Sequence, residues 1–230
     1  MRFAALVPIA LAAACGGTSA EPTVTSPAPE IRVAAPATAG RFVLLQGGRP
    51  IATEEFERTA GGFVVDMIPS GGQPGLSYRA RVTPDGLIDS LDIAMQAAAG
   101  GAPQRLLMML ESSGDSALVH HVQWRGDSAV RRTVGTRAGA VFYINPSPSM
   151  MEQIVRRARR MGGDSVDVPI FMPIGEGRTA MVAVTFPARD SAVTSVGGVA
   201  VRMGIDSEGR MRGAVVPTQG LVIERQDATR

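Results

Sequence analysis

Imidazole occurs at two adjacent positions of this chain, His120 and His121, and nowhere else. These are the side chains best suited to proton transfer near neutral pH. On a strand, consecutive side chains point to opposite faces, so the pair cannot converge on one metal ion, and no His-Glu-x-x-His run or cysteine cluster supplies further ligands. His120 shares its face with Leu118, Val122 and Trp124, which predicts a partly buried, structural histidine. Lysine is absent. All 23 cationic side chains are Arg, which excludes a phosphate-loop lysine, a Schiff base and a Ser-Lys dyad. Asn145 is the one Asn and Cys15 the one Cys, so an intramolecular disulfide is also excluded.

Three Gly-Asp-Ser runs, starting at Gly114, Gly126 and Gly163, place a serine beside a carboxylate. The first, Gly114-Asp115-Ser116-Ala117-Leu118, resembles the nucleophile block of GDSL-type esterases, which implies a serine nucleophile. That family draws its histidine from a late Asp-x-x-His, however, and no His follows His121; hairpin turns account for all three copies. No Gly-x-Ser-x-Gly elbow occurs. Gly175-Glu176-Gly177-Arg178-Thr179-Ala180 has a loose dinucleotide-binding spacing but precedes a strand-like run instead of opening a helix. Asp206 and Glu208 lack the further oxygen ligands of a calcium loop. The expectation is no catalytic residue, no cofactor and no metal site, with a serine hydrolase using His120 or His121 as the enzymatic alternative.

The elements that would position these residues are mostly strands. With 230 residues, 45% of them hydrophobic and 4% aromatic, the chain can bury one sizeable core. Period-two alternation is clearest in Leu76, Tyr78, Ala80 and Val82, in Leu87, Leu91, Ile93 and Met95, and in Val199, Val201, Met203 and Ile205. Residues 42–46, 49–58, 63–68, 105–111, 117–124, 129–135, 166–172, 179–186 and 221–225 also read as strands. Gly47-Gly48, Thr83-Pro84-Asp85-Gly86 and Asp206-Ser207-Glu208-Gly209 supply the turns of antiparallel hairpins. One amphipathic helix, about 149–161, follows from a capping box Ser149-Met150-Met151-Glu152 and a stop at Gly162-Gly163. The fold class is thus mainly β: an antiparallel meander forming a curled sheet or half-barrel with one helix packed on it.

Twelve Met residues against seven Phe give a soft, adaptable apolar interior. Met108, Met151, Ile154, Val155 and Met161 are the expected lining of a groove between helix and sheet, and Arg156, Arg157, Arg159 and Arg160 form a basic face able to meet anionic lipid or an acidic partner. Nucleic acid is not an expected partner, since the net charge is only +2 and no aromatics interleave the Arg cluster.

Met1-Arg2 followed by the apolar run 3–14 has the form of a secretory signal, too short to span a membrane. Ala12-Ala13-Ala14-Cys15-Gly16 resembles the lipobox of bacterial lipoproteins, with Ala12 where that family prefers Leu. The resemblance implies acylation of Cys15, a membrane partner through the N-terminal lipid anchor, and outer-membrane sorting facing the periplasm. Ordinary cleavage after Ala14 or Ala20 implies instead a soluble periplasmic or secreted protein. Residues 15–39, rich in Pro, Ala and Thr, read as a flexible tether, residues 40–227 as a single β-rich domain and 228–230 as a tail. Many antiparallel strands with one late helix, over residues 40–225, resemble the curled-sheet envelope proteins of the LolA and LolB-like lipoprotein-carrier type. What the resemblance implies is a concave groove able to hold a lipid or acyl chain. The functional expectation is a non-enzymatic envelope lipoprotein that binds an apolar ligand or an envelope protein partner; the alternative is a structural or interaction module with a filled core.

Overall fold

Short alternating segments each present one apolar face and two edges of unpaired backbone groups, and side-by-side pairing of consecutive segments satisfies both. The computed structural model, which describes residues 38–97, 101–173 and 177–227, shows this arrangement. Its first meander comprises β1 (Thr38–Gln46), β2 (Arg49–Thr59), β3 (Gly62–Pro69), β4 (Leu76–Val82), β5 (Ile88–Met95), β6 (Gln104–Ser113), β7 (Ser116–Arg125) and β8 (Ser128–Arg137). After the short β9 (Val141–Phe142) and the helix α1 (Pro148–Met161) comes a second meander: β10 (Ser165–Met172), β11 (Arg178–Ala188), β12 (Ser191–Val196), β13 (Val199–Ile205), β14 (Met211–Val216) and β15 (Leu221–Asp227). The two meet where β1 pairs with β15, giving one sheet ordered β8-β7-β6-β5-β4-β3-β2-β1-β15-β14-β13-β12-β11-β10-β9. Among the described strands only β9 runs parallel to its neighbour, β10. The fold is mainly β with one helix, and the sheet is curled but not closed. The signal-like segment, Cys15, the tether up to residue 37, Gly175 and Glu176, and residues 228–230 lie outside the described residues, and the last two tether residues, Thr38 and Ala39, belong to β1, so the domain begins two residues earlier than expected.

Twist accumulated over so many strands curls an open sheet, and register shifts at Leu44/Leu45, Arg81/Val82, Thr185/Ala188 and Gly204/Ile205 bend it further. The curl brings β8 opposite β11, where the Thr136 and Thr179 hydroxyls hydrogen-bond at 2.7 Å although the two strands share no ladder. The concave face holds the core. Phe42 packs on Phe56 with ring centroids 5.1 Å apart, Phe63 meets Tyr78 edge-on, and Phe142 meets Phe171 edge-on. Met150, Ile154, Val155 and Ala158 of α1 are buried against this interior.

The structure corrects several expectations. The helix starts two residues earlier than the capping box implies: Ser147 is the N-cap, its Oγ accepts from the Met150 N–H at 3.2 Å, and Pro148 takes the first helical position. Ser149 and Glu152 are drawn instead into contacts with the sheet. Three strands, β9, β12 and β14, were not among the expected runs; the inward residues of β12 include only Ala192 and Thr194 as buried side chains, too weak an apolar face to show as periodicity. In β5 the bulge at Arg81/Val82 turns Ile88 inward, so the inward set is Ile88, Leu91, Ile93 and Met95, and Leu87 lies outside it.

Candidate ligand-binding site

Of the expected groove residues, Met108, Met151, Ile154 and Val155 are buried in the core cluster, and Met161, at the end of α1, is 46% exposed. The helix and sheet are therefore packed against each other at these positions, and an open cavity lies elsewhere. The basic residues of α1 turn back onto the body. Arg159 donates to the Arg189 carbonyl and stacks 4.7 Å above the Phe186 ring, while Arg160 Nη1 donates to the Asp85 carbonyl at 2.9 Å. That guanidinium occupies the space a Cβ on Gly86 would need, and Gly86 also has a positive φ of 77°, so glycine is required there twice over. The Gly-Asp-Ser copies fall on the β6–β7 and β7–β8 turns and on the connection from α1 to β10. At the β13–β14 turn the Asp206 carboxylate accepts from the backbone N–H of Glu208 and Arg210, a turn-forming use of its oxygens. No group of three or more His, Cys, Asp or Glu able to hold a metal occurs among the described residues.

His120 is half-buried, as the sequence predicted, and its neighbour is the enclosed histidine. His121 faces inward and is only 2% exposed. His120 faces outward with Leu118, which is 46% exposed, and with Trp124, which lies beneath Arg105. Alternation distinguishes two faces of a strand but does not say which is inside, and here the larger apolar side chains are the outer ones. Outside, His120 Nε2 lies 3.0 Å from Glu111 Oε2 and Nδ1 lies 3.2 Å from the Thr133 hydroxyl. This acid–imidazole–hydroxyl row has the order of a hydrolase triad. It stands on an exposed sheet face, and β7 is paired on both sides, so its backbone N–H groups are committed to ladders and offer no oxyanion hole.

Two inward features concentrate chemistry. The first is a buried ionic cluster where the N-terminus of α1 enters the curl. Glu54 Oε1 accepts from the Ser149 N–H at 2.8 Å, Arg58 Nη2 donates to Ser149 Oγ at 3.0 Å and lies 3.3 Å from Glu152 Oε1, and Tyr78 Oη lies 2.6 Å from Ser147 Oγ. Glu152 Oε2 accepts from the Met211 N–H at 3.0 Å and lies 3.6 Å from Arg225 Nη1. Burial raises the Glu54 carboxyl above its ordinary range, against the pull of bonds from Ser149 and Ser147, and the same burial lowers Arg58. Every charged member is tied to another strand or to the helix, so the cluster locks α1 to β2, β14 and β15.

The second feature is a cavity of about 310 Å³ inside the curl, at the end of the sheet formed by β4–β8. Leu76, Ile93, Met95, Leu106, Ile144 and Pro173 give it apolar walls. Gln104, His121, Gln123, Arg125 and Arg132 give it a polar side. The ladder explains the grouping: Leu76 pairs with Met95, Met95 with Gln104 and Gln104 with Arg125, one residue per strand along the same rim. A larger depression of about 700 Å³ lies over β1–β3 on the outer face, among Arg41, Glu55, Glu57 and Asp66, and is more open to solvent. Within the cavity wall, Arg132 Nε donates to His121 Nδ1 at 2.8 Å. Burial, and then the Arg132 charge, push the His121 imidazole down to about 4, so it is neutral at pH 7. Its polar signal was legible as His121 and Gln123 on a face with Ala117 and Val119, a pattern that fills a core poorly.

No protein-family model matches the sequence, and no curated protein matches it significantly. Among solved structures, the fold is similar to that of a DUF1089 family protein from Pseudomonas aeruginosa, with a TM-score of 0.51 and 16% identity over 72% of this chain and 89% of that one. At that identity the likeness is one of fold, and the family description attaches no enzymatic activity to it.

Proposed function

We propose that this protein is a non-enzymatic, exported envelope protein, anchored through an acylated Cys15, whose curled sheet binds an apolar ligand such as a lipid or acyl chain. The cavity at the β4–β8 end carries the reading. Small-molecule sites are concave, mainly apolar, of roughly 300 Å³ or more, and include a few placed polar groups, and the 310 Å³ space with its apolar walls and polar side meets each condition. The proposed attachment rests on the lipobox-like segment Ala12-Ala13-Ala14-Cys15-Gly16.

The test is mass spectrometry of the full-length protein expressed in a bacterial host, combined with displacement of the fluorescent fatty acid cis-parinaric acid. A diacylglyceryl or triacyl mass on Cys15, a co-extracted acyl lipid and saturable displacement are expected. Leu106→Trp, which fills the cavity, should weaken the displacement at least tenfold. An unmodified N-terminus removes the anchor; absence of both extracted lipid and displacement removes the ligand function and favours an interaction module with a filled core.

A further inference from the structure

The His121 side chain is almost wholly enclosed, lines the β4–β8 cavity, and uses only one of its two ring nitrogens. Arg132 Nε–H can act only as a donor, so the His121 Nδ1 that receives it at 2.8 Å must be the unprotonated nitrogen. The proton of the neutral ring is then on Nε2. That N–H is buried and has no hydrogen-bond partner. Buried donors are almost always satisfied, and an orphan in a cavity wall calls for a partner from outside the chain. Metal ligation does not suit it, since a metal needs the lone pair that this tautomer has replaced by a proton, and no acidic or thiol group joins it.

What the Nε2–H requires is an acceptor, and the apolar walls of Leu76, Ile93, Met95 and Leu106 require a hydrocarbon. The volume holds about ten groups the size of a water molecule, so a longer chain fills it and continues past the exposed Arg125 rim. We infer that His121 is the polar anchor of this cavity, donating from Nε2 to the carbonyl oxygen of an acyl group whose chain lies along the walls of β4–β6. The inference rests on the ligand-binding reading above and deepens it by naming the group recognised. Free carboxylate and acyl ester share that carbonyl. Arg125, at the exposed rim, distinguishes them, because its charge favours a carboxylate and is indifferent to an ester. Other outward functions are weaker: the His120 row stands on an open face, and the ionic cluster is tied internally.

The experiment compares dodecanoate, methyl dodecanoate and 1-chlorododecane, which has the same chain without a carbonyl, as competitors for cis-parinaric acid on the full-length protein. His121→Phe keeps the ring volume and deletes the donor, while His121→Gln returns an N–H near the Nε2 position. The expected result is a loss of about tenfold in affinity for dodecanoate and its methyl ester in His121→Phe, the scale of one unmade hydrogen bond, no loss for 1-chlorododecane, and recovery in His121→Gln. Arg125→Gln should weaken dodecanoate alone if the physiological group is a carboxylate. In the unsubstituted protein the Nε2–H proton resonance should shift on adding [1-13C]dodecanoate, which tests the bond even where a variant does not fold. Unchanged affinities of His121→Phe for dodecanoate and methyl dodecanoate, or an unmoved Nε2–H signal with the chain bound, overturn the anchor and leave the cavity reading standing. Failure of all three compounds to bind overturns both.

Discussion

His121 joins a buried unpartnered ring nitrogen to a place in the wall of the β4–β8 cavity. Its protonation has a directional consequence for stability. The folded state holds the ring neutral down to about pH 4, whereas an unfolded chain takes up the proton near 6.5, so the unfolded state binds more protons between these values. Stability therefore rises with pH across that window and is lost on acidification through it. Glu54 acts in the opposite sense, since its raised carboxyl keeps a proton in the folded state above pH 4.5. Comparing the protein with His121→Phe isolates the histidine: urea unfolding at pH 7 and pH 4.5 should show a destabilisation of about 2 kcal/mol on acidification that the variant lacks. Equal pH dependence in both proteins contradicts the buried neutral imidazole.

At the scale of elements, α1 is held by ions more than by its own caps. Glu152 lies on its first turns, wholly buried, and touches Arg58 of β2, the backbone of β14 and Arg225 of β15. Removing the carboxylate leaves Arg58 enclosed without its nearest counter-charge. Glu152→Ala should cost about 3–5 kcal/mol in denaturant unfolding, well above the cost of an exposed helix substitution, and a loss below 1 kcal/mol means the helix is not seated as described. The strands β1–β7 were largely legible because each carries an alternating apolar face between glycine turns. The short β9 and β12, whose buried side chains are Ala192 and Thr194, were not, because two residues carry no period and small side chains leave no apolar face to detect.

Across the whole of the described fold, side chains of the helix bridge the two meanders where ladders do not reach. Arg159 and Arg160 join the helix to the Arg189 and Asp85 carbonyls, on opposite meanders of the sheet. Reversing both to Glu should set carboxylates against those carbonyl oxygens and lower the melting temperature by several degrees. An unchanged melting temperature measured by calorimetry shows that the two arginines do not brace the curl. The same curl creates the cavity, which no single strand contains: its lining comes from five neighbouring strands and two connections.

By itself the sequence determined the antiparallel meander, the late helix and the turns, because hydrophobic period and turn chemistry act over a few residues. It also placed a lipobox-like segment and a basic helix face. Only tertiary structure decided which face of β7 is inner, where the helix begins its first turn, and where the interior is filled and where it is empty. Those outcomes depend on partners remote in sequence, such as Glu54 with Ser149 and Arg58 with Glu152, whose pairing energy exists only once the sheet has curled and excluded water.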